Sequence, residues 1–149
     1  VKNVLRRHAF RLPRHPASVG LARLRARDHL AAWGHTDEDG AFAATILVVS
    51  ELTTNVIRHG SSLEPEFDLA ITVLADGACL IEVSDESPGD PHLFADAGPH
   101  ADGGRGIHLV DAVSEAWGVW RRGRYGKTVW ALVHAQPRPP TTSGRPSRP

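Results

Sequence analysis

The chain has 149 residues, with 17 basic side chains against 17 acidic ones and 41% hydrophobic content. That is enough for one domain with a buried core, and a net charge of zero gives no overall field to draw nucleic acid or an anionic membrane. The single cysteine, Cys79, can form neither an intramolecular disulfide nor a cysteine metal site, no apolar run approaches the roughly 18 residues of a membrane span, and the basic N-terminus is not followed by a signal-type apolar core. A cytoplasmic protein without membrane contact is expected.

Residues 6–14, RRHAFRLPR, alternate around Ala9, Phe10 and Leu12 and read as a first strand. From His15 to Gly34 runs a helix of about five turns, with Pro16 suited to its first turn and Gly34 to its C-cap. Its pattern predicts Val19, Leu21, Ala22, Leu24, Leu30 and Ala31 facing inward and Arg23, Arg25 and Arg27 facing water. Those arginines suit either a solvated helix face or an acidic ligand.

Thr36 and Asp39 make a capping-box-like start to a second helix, about 37–59. Within it, ILVVSELTTNVIRHG places Ile46, Val49, Thr53 and Val56 on a core-facing stripe, with Leu52 near its edge. Glu51 and Asn55 stand off that stripe one turn apart, with His59 a turn further on. A carboxylate can take a proton from a hydroxyl, and an amide oxygen can help hold Mg²⁺. The same spacing also fits a plain polar flank ending in a Gly60 C-cap. FDLAITVLADG and ACLIEVSDE then alternate as strands across Asp76-Gly77, a hairpin signal.

From Glu86 to Gly103 a long stretch rich in Pro, Gly, His and Asp has no periodicity and reads as a lid or binding loop. GGRGIHLVDAVSEAWG turns a glycine cluster into a helix with Ile107, Val110, Val113 and Ala116 or Trp117 inward. Strands at 119–122 and 127–134 follow, and the tail from Pro137 has nothing apolar to bury. The expected organisation is a single domain over 6–136, a two-layer α+β sandwich of mostly antiparallel sheet with helices on one face, and a disordered tail at 137–149.

Chemistry gathers at the element ends. Asp85 closes a strand, where it can accept from an exocyclic amine or simply cap a turn, and Gly89 permits close backbone approach. Gly104 and Gly106 flank Arg105 where a loop becomes a helix, a place for phosphate oxygens. Thr128 offers a hydroxyl at the last strand. GKT at 126–128 is not a P-loop, since Arg121 stands where its first glycine belongs and a strand follows. GRGIHL has Leu109 in place of the third glycine of a dinucleotide fingerprint, and the histidines form no HxxxH or HExxH pair.

Taken together and in this order, ELTTN…HG, SDESPG, GGRGIHLV and GKTVWALV resemble the GHKL superfamily of ATP-binding domains, the Bergerat fold, and within it the anti-sigma factor serine/threonine kinases. The resemblance runs from about Ala9 to Val133. It implies Glu51 as catalytic base, Asn55 as ligand to a phosphate-bridging Mg²⁺, Asp85 on the adenine amino group and Gly89 shaping the adenine pocket. It further implies Gly104 and Gly106 at the phosphates, Arg105 at phosphate or partner, and Thr128 in the adenine-side network. The implied activity is ATP-dependent phosphorylation of an anti-anti-sigma partner, together with sequestration of a sigma factor, in a protein that pairs with itself. An ATP-binding interaction module without phosphoryl transfer is the alternative.

Overall fold

The computed structural model describes residues 4–35, 40–59, 65–86, 109–122 and 126–134. The first strand is β1 (Val4–Pro13), two residues earlier than its alternation suggests. It leads into α1 (Ala17–Ala32), whose start is held by the His15 imidazole accepting the Ala17 N–H at 3.0 Å and by Ser18 Oγ donating to the Pro13 carbonyl at 2.6 Å. At the other end Gly34 has φ +88°, His35 N–H reaches the Leu30 carbonyl at 2.9 Å and Gly34 N–H the Ala31 carbonyl at 3.1 Å. This is the double C-cap that a glycine in left-handed conformation allows.

The inward face of α1 differs from the sequence expectation. Its buried residues are Ser18, Ala22, Ala26 and Leu30, a strict i,i+4 stripe, while Leu21 and Leu24 are 39% and 56% exposed and Ala31 is exposed as well. Small side chains let α1 lie close against α2, so the contact follows the row of small residues rather than the larger leucines beside it.

The second helix, α2 (Gly40–His59), buries the expected stripe Ile46, Val49, Leu52, Thr53 and Val56, together with Val48 and, nearer its start, Ala41, Phe42 and Thr45. Among the described residues it is the one helix long and apolar enough to cross a membrane by length and composition, but half of that apolar window is buried inside the fold. The capping pair Thr36 and Asp39 and the C-cap Gly60 lie outside the described residues.

Strands β2 (Glu66–Leu74) and β3 (Cys79–Asp85) form the expected hairpin. Gly77 has φ +84°, Gly77 N–H donates to the Leu74 carbonyl at 2.9 Å, and Asp76 Oδ1 accepts the Ala78 N–H at 2.9 Å. Helix is described over 109–113 only. Ala116 and Trp117, expected on that helix, instead open β4 (Ala116–Arg122), because Glu115 N–H already bonds the Leu132 carbonyl of β5 (Gly126–Val133) at 2.8 Å. A backbone bond to a neighbouring strand competes directly with the next helical turn.

All pairings are antiparallel, in the order β1-β2-β3-β5-β4. Phe67, Leu69, Ile71 and Val73 of β2, Ile81 and Val83 of β3 and Val129, Ala131 and Val133 of β5 join one core with α1 and α2. The helices therefore cover one face of the sheet, as expected for a two-layer α+β fold. Among the described residues, no helix covers the other face.

Candidate nucleotide site

Glu51 and Asn55 are half-buried on α2, beside the buried Leu52, Thr53 and Val56. An i,i+4 pair on one flank of a helix holds its side chains one turn apart, so the carboxylate and the amide rise from the same side of the C-terminal half of α2. Asp85 ends β3. Val83 and Ile81 precede it on the helix-covered face, and period two puts Asp85 on that face too, with no exposed side-chain area.

These elements are tied together by Arg14, a residue the sequence pattern did not single out. Its Nη2 lies 3.4 Å from Asp85 Oδ2, its Nη1 donates to the carbonyl of Val56, and its N–H bonds the Pro65 carbonyl at 2.8 Å. Val56 is within the last turn of α2, where carbonyls have no partner in the helix itself. One guanidinium thus joins the turn that carries Asn55 to the strand end that carries Asp85. The only trace in the sequence is an arginine where strand passes into helix, which is indistinguishable from a surface charge until β2 and β3 are folded beside it.

Thr128 is buried on β5, and its Oγ1 is 2.8 Å from Ser84 Oγ. Ser84 and Thr128 are paired residues, as are Asp85 and Lys127, and directly opposed residues share a face. Thr128 therefore lies on the open face, away from Asp85. The position brought beside Asp85 is Lys127, which is 8% exposed and which the sequence pattern does not distinguish from its neighbour Thr128. Gly89, Gly104, Arg105 and Gly106 lie outside the described residues.

A concavity of about 520 Å³ occurs on the open face, among Arg7, Arg11, Asp68, Glu82, Trp120 and Thr128. It is separated from Asp85 by the thickness of the sheet, so it is not the cavity in which Asp85 and Asn55 could act together. Among the described residues no group of three or more His, Cys, Asp or Glu could enclose a metal ion.

The sequence matches the histidine kinase-like ATPase domain over residues 12–133. The chain belongs to that family. ATP is accordingly its ligand class, and the four segments that resemble GHKL proteins fall within the match or at its edge. An uncharacterised protein of Streptomyces coelicolor is 37% identical over 76 residues, which is 50% of this chain and 71% of that protein. Solved structures share the fold. The RsbU and RsbW domains of a Mycobacterium tuberculosis protein superpose with a TM-score of 0.66 at 18% identity, over 91% of this chain and 34% of that one. The SiaB-SiaC complex from Pseudomonas aeruginosa gives 0.64 at 16% identity, over 87% of this chain and 89% of that one. The chain spans about a third of the Mycobacterium chain, and at these identities the likeness is one of fold.

Proposed function

We propose that this domain is an ATP-dependent protein serine/threonine kinase of the anti-sigma type, which phosphorylates an anti-anti-sigma partner and sequesters a sigma factor. The observation that carries the reading is the Arg14 bridge, which brings Asp85 and the Asn55 turn of α2 to one end of the helix-covered sheet face. Asp85 is assigned to the adenine amino group, which a carboxylate can accept from, and Lys127 rather than Thr128 takes the adjacent position on β5. Since the Asp85 side chain is wholly covered, a base reaches it only when this end of the fold opens around the ligand.

Glu51 is assigned as the base. It accepts the proton of a serine or threonine hydroxyl as that oxygen bonds the γ-phosphorus and the bond to the β–γ bridging oxygen breaks, releasing ADP. Asn55 would hold a Mg²⁺ through its amide oxygen, and the ion would neutralise charge on the phosphates. Gly89 is assigned to the adenine pocket, and Gly104, Arg105 and Gly106 to the phosphates. A protein partner accords with the SiaB-SiaC complex, a structural neighbour that is itself an assembly of two proteins.

The test is calorimetric ATP titration with and without Mg²⁺, followed by γ-phosphate transfer to a candidate anti-anti-sigma protein. Glu51→Ala should abolish transfer and leave ATP binding within about threefold, as expected for a group acting on the attacking hydroxyl. Transfer that survives in Glu51→Ala removes Glu51 as the base. ATP binding by a wild-type protein that transfers no phosphate would make the domain an interaction module instead.

A further inference from the structure

Arg14 is almost wholly withdrawn from solvent, with 8% of its side chain exposed against none for Asp85. A guanidinium in such a place is not a surface ion pair. It needs acceptors, and these include groups on separate elements, the Val56 carbonyl near the end of α2 and the carboxylate at the end of β3. The first is a backbone group that the helix cannot satisfy itself, so Arg14 is anchored to the scaffold through it. The second is the carboxylate assigned to the base of the nucleotide.

We propose that Arg14 is a positioning residue that sets the orientation of the Asp85 carboxylate and thereby selects adenine over guanine nucleotides. This rests on the assignment of Asp85 given above. A carboxylate is an acceptor only, so it is matched by the 6-amino group of adenine and opposed by the 6-oxo group of guanine. The match depends on direction, because a hydrogen bond weakens steeply as its angle closes. Arg14 holds that direction through a fork whose other arm is fixed on α2.

The experiment is titration of the full chain with ATP and with GTP, in wild type, Arg14→Met, Arg14→Lys and, as a control on the same strand, Arg11→Met. Arg11 is exposed and pairs with Asp68 at 3.1 Å away from the site. The expected result is an ATP affinity lowered about tenfold or more in Arg14→Met with a smaller change for GTP, so that the ATP-to-GTP preference falls. Arg14→Lys, which keeps the charge but cannot bridge two acceptors in a fixed plane, should fall between, and Arg11→Met should match wild type. Equal losses for both nucleotides would make Arg14 a structural residue only and overturn the proposal. Tighter ATP binding in Arg14→Met, meaning that the arginine competes with the base, would overturn it as well. If Arg14→Met does not fold, Arg14→Lys decides by the same ratio. A wild type that binds neither nucleotide removes the site reading and this inference together, whereas a wild type that prefers ATP with an unchanged ratio in the variants removes this inference alone.

Discussion

The two faces of the sheet carry different chemistry, and at the end of β3 they are separated by a single residue. Asp85 and Lys127 form one cross-strand pair on the helix-covered face, and Ser84 and Thr128 form the next pair on the open face. On the covered side Asp85 is buried and held by Arg14. On the open side Ser84 and Thr128 bond one another, Arg11 reaches Asp68 and Glu66, and Trp120 stacks on Trp130 at 5.2 Å while remaining 47% exposed. Residues adjacent in sequence thus share neither solvent nor partner. A motif such as GKT cannot be assigned to a site until the face of each letter is known.

Substitutions that treat the two faces alike would break this comparison. The largest contrast concerns stability: Phe67→Ala, deleting a ring 2% exposed beneath the helices, should cost about 3–5 kcal/mol, against about 1 kcal/mol for Trp120→Ala. Urea denaturation checks both, and equal losses would mean that the open face is as tightly packed as the core. Next comes ligand binding. Asp85→Asn should weaken ATP about 10- to 100-fold, since the amide presents a donor where an acceptor is needed, and Ser84→Ala should leave it unchanged by calorimetry. Thr128→Val should lose about 1 kcal/mol of stability with its hydroxyl bond and leave ATP affinity intact, whereas Lys127→Met should alter it. An ATP defect in Thr128→Val restores the hydroxyl to the site and refutes the assignment of faces.

The smallest effect is with pH and sharpens the covered side. His8 of β1 and His29 of α1 meet edge to face with ring centroids 3.5 Å apart, and His29 stacks on Trp33. Burial, aided by the charge of Arg25, lowers His8 below its ordinary 6.5, and burial, aided by His8, lowers His29 likewise. With the folded-state value depressed, the unfolded chain binds more protons in the window between that value and 6.5. The stabilising contribution is therefore complete above about pH 6.5 and lost as pH falls through the window. The melting temperature should drop on acidification, and the drop should shrink in a His8→Gln, His29→Gln double variant; identical profiles would show that the pair carries no such linkage.

Much of the architecture was legible beforehand. Alternation located β2 and β3, Asp76-Gly77 located their hairpin, and the 3.6-residue period located the buried stripe of α2. These signals are local, set by which face of one element is apolar. Where local signals are ambiguous, tertiary packing decides. Leu21 and Leu24 look like core residues until close helix packing chooses Ala22 and Ala26 instead, and Trp117 continues a helical pattern until β5 captures the backbone beside it.

The sequence by itself determined the cores of β2, β3 and α2 and the β2–β3 hairpin, because propensity and periodicity travel with each residue. Only the tertiary structure decided that Arg14 would stand between Asp85 and the end of α2, and that Lys127 rather than Thr128 would lie beside Asp85. Both depend on the register of strands far apart in the chain, and a register is chosen by the burial of a whole face at once.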